Sequence, residues 1–140
     1  MKGDFSRYTF DKNKHYNGVL MQQGRVQIDA DWNEQQAISR HRAETQGRDV
    51  IGSCGAPMEN PGFEIYSFLD GKVLHIGAGR YYVNGILCEN EQTVTYGNQP
   101  DLPAPPDILD LLKQEKATVG LVYLDVWQKH ITALDDPAYP

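Results

Sequence analysis

The best helical stretch of the chain, residues 31–51, is nearly devoid of an apolar stripe, and that property limits what the molecule can fold into. Start and stop signals are both present. Asp31 and Glu34 form a D-x-x-E opening, a variant of the capping box, and Asp29 adds negative charge at the positive end of the helix dipole. Gly52 is the stop, with Gly55 and Pro57 close behind. Inside lie Trp32, Ala37, Ile38, Ala43, Val50 and Ile51, but residues 39–49 are almost entirely polar, and Gly47 weakens the helix further. Most helices in proteins are stabilised by burying an apolar face. This one gains little from a monomer core, so it is expected to face solvent or to be completed by a partner chain.

Ahead of the helix, residues 1–28 carry Phe5, Tyr8, Phe10 and Tyr16 among charges, with no sustained period of 2 or 3.6. Only the runs at 19–21 and 26–28 look buried. The segment reads as an extended arm whose rings need cover, either from its own domain or from a neighbouring surface.

After the helix the pattern changes to short strands. Residues 63–68 are followed by Asp70-Gly71, a two-residue turn leading into residues 72–76. Gly77-Ala78-Gly79 is a break. Residues 80–83 and 86–89 flank Asn84-Gly85, and Asn-Gly between apolar runs is the strongest short hairpin signal. Both turn residues are expected at positive φ. Residues 93–96 make a further short strand. Residues 97–106 are a Pro-rich connector, and Asp107 caps a short helix at 107–116. Residues 119–127 are too continuously apolar for a one-sided sheet and predict a central strand. The fold class is therefore α+β. An arm and helix over residues 1–52 form an attachment segment, and residues 62–140 form a small antiparallel β domain with a short second helix. The abrupt Pro-rich ending suggests that this domain continues past residue 140.

Composition narrows the function. A hydrophobic fraction of 40% with 23% charged residues describes a chain that folds, and the net charge of −6 argues against a nucleic-acid backbone as partner. No apolar run is long enough for membrane insertion, and the N-terminus lacks the apolar core of a signal peptide. Cys54 and Cys88 match no metal or redox spacing and read as isolated thiols.

Chemistry-bearing patterns fall away one by one. Asp29, Asp31 and Asn33 match the first ligands of an EF-hand loop. The sixth position then holds Glu34 where Gly is needed, and the twelfth holds Arg40 where Glu is needed, so the helix cap is the better reading. His15, His41, His75 and His130 lack partners at ligand spacing. The Gly77-Ala78-Gly79-Arg80 run lacks the third glycine and the following helix of a dinucleotide site. Asp125 and Glu89 are not brought together by anything in the sequence. The expectation is a non-enzymatic chain acting without metal or cofactor. The residues expected at an assembly interface are Phe5, Tyr8, Phe10, Tyr16, Trp32, Ile38 and Arg42.

Four stretches then carry a resemblance: MKGDFSRYTFDKNKHYNGVLMQQGRVQIDADWNEQ at the start, GFEI from Gly62, GRYYVNGILCEN from Gly79, and VYLDVWQKHITALDDP from Val122. Together they span nearly the whole chain. They resemble an uncharacterised N-terminal domain family of proteins encoded beside phage-tail-like contractile injection systems and tailed-phage structural genes. That resemblance implies a structural part of a baseplate or tail fibre, assembled in the cytoplasm and then carried in a phage-like particle. It also implies a homo-oligomer, with a trimer favoured by analogy, bound to neighbouring tail or baseplate subunits. The departure is the helix itself, where Arg40, His41, Arg42, Glu44, Gln46 and Arg48 stand in place of a more apolar surface. A different class of function is a binding module in which Tyr66, Tyr81 or Tyr82 stacks on a glycan or another cell-surface ligand.

Overall fold

The computed structural model describes residues 8–68, 73–100, 102, 104–108, 110, 121–136 and 138. The architecture is α+β: among the described residues, one long helix and two small antiparallel sheets of three strands each. The arm is irregular apart from a 3-10 turn, Lys12–Lys14, opened by the Asp11 carboxylate, which accepts from the Asn13 N–H at 2.9 Å.

Helix α1 runs over Asp29–Ile51, two residues longer at its start than the sequence predicts. Ile28 is the capping residue, and Asp31 sits on the third helical position. Its carboxylate reaches back to accept the Ile28 N–H at 3.2 Å, the return half of a capping box, so Asp31 acts from inside the helix and is not the cap itself. The stop is where the sequence places it. Gly52 adopts φ 99°, and its N–H donates to the Arg48 carbonyl at 2.8 Å.

The strands follow as β1 Cys54–Gly55, β2 Ile65–Phe68, β3 Val73–Ile76, β4 Gly79–Val83, β5 Ile86–Asn90 and β6 Val94–Thr95. One sheet has the order β1-β4-β5 and the other β2-β3-β6. The β4–β5 hairpin turns on Asn84 and Gly85 with φ 51° and 81°, and Val83 pairs directly with Ile86. This is the expected two-residue turn with both residues at positive φ. The β2–β3 turn at Asp70-Gly71 lies outside the described residues, although the Ser67–Leu74 and Phe68–Val73 pairs flanking it confirm the hairpin.

The Gly77-Ala78-Gly79 break is where the chain leaves one sheet for the other. Residues 61–64 run alongside it: the Gly62 N–H donates to the Arg80 carbonyl, and Phe63 and Glu64 exchange backbone bonds with Gly77. A side chain on Gly62 would collide with the backbone of Gly79 and Arg80, so glycine is required by the close approach. The Asn90 side-chain amide ties the two sheets together by donating to the Gly77 carbonyl at 3.0 Å.

Two further expectations meet the structure in the C-terminal third. The Asp107 carboxylate accepts the Asp110 N–H at 3.2 Å, the bond of an N-cap, while most of the expected second helix lies outside the described residues. The expected central strand is corrected. Residues 121–127 belong to no strand and are almost all exposed, Leu121 at 87%. An apolar run becomes a strand only where a ladder partner is available, and among the described residues both sheets have three strands without it. Beyond it, Thr132 and Asp135 close a turn in which the Asp135 carboxylate accepts both the Thr132 N–H and hydroxyl, at 3.1 and 2.9 Å.

A candidate assembly surface

Among the described residues only Ala30, Ala37 and Ile38 are buried hydrophobics, and all three lie on α1. The strands are at most half-buried. The β5 alternation places Ile86, Cys88 and Asn90 on the more covered face and Leu87 and Glu89 on the open one. With about 100° between successive helical residues, the surroundings of α1 divide into three faces.

The first face meets the β unit. A Cβ added to Gly47 would sit 3.0 Å from the Gly85 Cα, and one added to Gly85 would run into the Glu44 backbone, so the hairpin tip lies directly on the helix. The Asn84 N–H also donates to the Ser53 carbonyl at 2.8 Å, fixing the tip to the chain just past the helix end. Gly47 is therefore a close-approach residue, a role invisible to its low helix propensity.

The second face meets the arm. The Thr9 hydroxyl donates to the Glu34 carboxylate at 2.9 Å, the Val19 N–H donates to Gln35 Oε1 at 2.7 Å, and the Phe10 ring lies 5.4 Å from the His41 ring. The arm thus folds back along its own helix. Phe10 and Val19 become half-buried by doing so, but most of its large apolar side chains stay open: Tyr8, Tyr16, Met21 and Val26 are exposed, and Leu20 is 94% exposed.

The third face is open. Trp32, Gln36, Ser39, Ala43, Gln46 and Val50 lie along it, and all six are exposed, Trp32 at 57% and Val50 at 78%. Their spacing of four, three, four, three and four residues keeps them on one side of the helix, and Arg40, His41, Arg42, Arg48 and Asp49 around them are exposed as well.

Placed against the expected interface residues, this geometry separates them. Phe5 lies outside the described residues. Tyr8, Tyr16, Trp32 and Arg42 are exposed, with the Lys14 ammonium 5.9 Å from the Tyr16 ring, and Phe10 is half-buried against His41. Ile38 is corrected: at 1% exposure it is the most enclosed side chain described and has no surface left for a neighbour. Ala43, Gln46 and Val50 are exposed on the same side of α1 as Trp32 and were not among the expected interface residues. The four-and-three spacing from Trp32 to Val50 is the sequence signal for that side, obscured because four of its six residues are polar or small.

Chemistry elsewhere is sparse. Asp29, Asp31 and Asn33 open α1, a helical arrangement and not a loop that wraps an ion. Among the described residues no three His, Cys, Asp or Glu side chains are grouped closely enough to hold a metal, and no helix is long and apolar enough to cross a membrane. Cys54 and Cys88 are free thiols, the first exposed and the second half-buried. Burial pushes the Cys88 thiol up from its ordinary pKa, and a side-chain hydrogen bond with Cys54 pushes up the Tyr81 phenol. His75, expected on an open strand face, is half-covered by the ring stacked on it: Tyr66 lies 5.2 Å away and nearly parallel, with Phe68 edge-on at 5.2 Å.

Residues 1–139 match a family of unknown function, DUF6519. The chain belongs to that family. The match runs through the arm, α1 and both sheets, so the family's domain includes the open helix face together with the β unit. No curated protein and no solved structure matches the chain.

Proposed function

We propose that this DUF6519 chain is a structural, non-catalytic component of a phage-tail-like contractile injection particle, acting in its baseplate or at a tail-fibre attachment through protein–protein contacts. One observation carries the assembly part of this reading. The arm, the outer face of α1 and residues 121–127 hold large apolar side chains in the open, while three small or medium side chains make up the buried core of the described residues. Apolar side chains left open in a continuous run, as at residues 121–124, are the kind of surface that contact with other proteins covers. A part completed by its neighbours accounts for it. The particle assignment rests on the sequence resemblance of the arm and of the segments beginning at Gly62, Gly79 and Val122. In the native host, a tagged chain is expected to co-sediment with purified contractile particles, and particles lacking the gene product are expected to lose baseplate or fibre components. Intact particles that never contain the chain contradict the proposal.

The aromatic cluster supports a second reading. Tyr66, Phe68 and His75 line one face of β2 and β3, with Phe68 exposed, which is the kind of platform a sugar ring stacks on. A glycan-binding module of the same particle requires saccharide binding that is lost in Phe68→Ala, and a glycan array tests it.

A further inference from the structure

We propose that Asn17-Gly18 is a site of spontaneous backbone modification, at which the asparagine deamidates through a cyclic imide and the resulting isoaspartate releases the arm from α1. The inference stands apart from the assembly reading. The chain contains the pair Asn-Gly twice, at 17–18 and at 84–85. The reaction joins the backbone nitrogen of the glycine to the side-chain carbonyl carbon of the asparagine, and glycine favours it because no Cβ hinders the approach. The backbone must first turn so that this nitrogen faces the carboxamide carbon, so the pair that turns more freely reacts first. Asn17 and Gly18 are exposed in the irregular part of the arm, and among the described residues neither the Asn17 carboxamide nor the Gly18 N–H has a hydrogen-bond partner. Asn84 is also exposed, but its backbone is held. It occupies φ 51° in the β4–β5 turn, its N–H donates to the Ser53 carbonyl at 2.8 Å, and the Gly85 backbone lies against Glu44 and Gly47 of α1. Turning the Asn84–Gly85 peptide requires the hairpin tip to lift off the helix.

The chemistry needs water as its only co-reactant. The Gly18 nitrogen bonds to Asn17 Cγ and gives up its proton, the Asn17 Cγ–Nδ2 bond breaks, and the side-chain nitrogen leaves with that proton as ammonia. Water then opens the imide. Opening at Asn17 Cγ leaves aspartate. Opening at the main-chain carbonyl leaves isoaspartate, whose main chain runs through the former side chain and is longer by a methylene. The lengthening falls immediately ahead of the bond that holds the arm to the helix, in which the Val19 N–H donates to Gln35 Oε1 at 2.7 Å. A Cβ built on Gly18 would lie 3.4 Å from the same oxygen, so the chain passes Gln35 with little slack. A longer backbone at this point does not keep the Val19 N–H in register with Gln35, and the arm loses its bond to α1.

The test incubates the full 140-residue chain at mildly alkaline pH, folded and in parallel unfolded in urea. Mass spectrometry of proteolytic peptides follows each Asn-Gly pair, and enzymatic methylation counts isoaspartate. In the folded chain Asn17 is expected to convert at least about tenfold faster than Asn84, the gap set by the cost of lifting the tip. In urea the two are expected to convert at similar rates. Equal rates in the folded chain, or Asn84 the faster, overturn the proposal, and so does an Asn17 that converts in urea but not in the folded chain. A gap of the same size in urea puts its cause in the flanking residues and overturns the role of the fold. In the separated isoaspartate fraction, hydrogen exchange at the Val19 amide is expected to be about tenfold faster than in fresh protein. Unchanged exchange overturns the release of the arm. Asn17→Gln, which closes a ring far more slowly, is expected to keep the fresh-protein exchange rate at Val19 through the same incubation, and a matching loss of protection there overturns the link to deamidation.

Discussion

Gly47 in α1 and Gly85 at the β4–β5 turn meet backbone to backbone, with only 3.0 Å between a Cβ built on the first and the Cα of the second. This contact seats the hairpin on the helix. Gly85→Val meets two penalties, a φ of 81° that a β-branched side chain resists and the Glu44 backbone in its path. The conformational part alone is on the order of 1–3 kcal/mol. Urea denaturation is expected to record at least that loss.

Gly47→Ala separates the contact from helix propensity. In an exposed helix interior the change stabilises by about 1 kcal/mol. Here the added methyl presses on Gly85, so no gain is expected. A full gain of about 1 kcal/mol in urea melts means that the tip does not rest on α1.

The arm yields a paired prediction. Phe10 is half-buried against His41, and Phe10→Ala is expected to cost about 1 kcal/mol in folding stability. Tyr16 is exposed, and Tyr16→Ala is expected to leave the melting temperature unchanged. Equal effects from the two contradict the observed course of the arm along the helix.

How much of this was legible in the sequence depends on the range of the forces involved. Gly52 ends its helix and Asn84-Gly85 turns its hairpin because both act within a few residues, and both are found where the sequence predicts them. Gly47 reads as a weak helix residue because its reason is a hairpin tip almost forty positions further along the chain. The apolar run at 121–127 reads as a strand because pattern cannot tell whether a ladder partner exists. Ile38 reads as interface because an isolated apolar residue in a polar helix has two possible covers, and the chain itself supplies this one.

The two thiols should react unequally. Cys54 is exposed, while Cys88 is half-buried and its thiol is held protonated by that burial. Titration with a chromogenic disulfide at mildly alkaline pH is expected to modify one thiol quickly and the second slowly, with mass spectrometry placing the fast label on Cys54. Equal rates imply that Cys88 is as open as Cys54.

The turn at residues 132–136 has a pH dependence with a definite sign. Hydrogen bonds from the Thr132 side chain and backbone hold the Asp135 carboxyl below its ordinary value of 3.8. A lowered folded pKa contributes stability that is present above the unfolded value and is lost as pH falls through the folded one. The Thr132 amide resonance is therefore expected to hold its position through mild acid and to move only at lower pH. Movement that tracks an ordinary aspartate contradicts the bond.

Sedimentation equilibrium of the unmodified chain across the micromolar range tests the central claim most directly. A mass that rises with concentration above 15.8 kDa is expected. A mass of 15.8 kDa at every concentration, with α1 helical by circular dichroism, contradicts it.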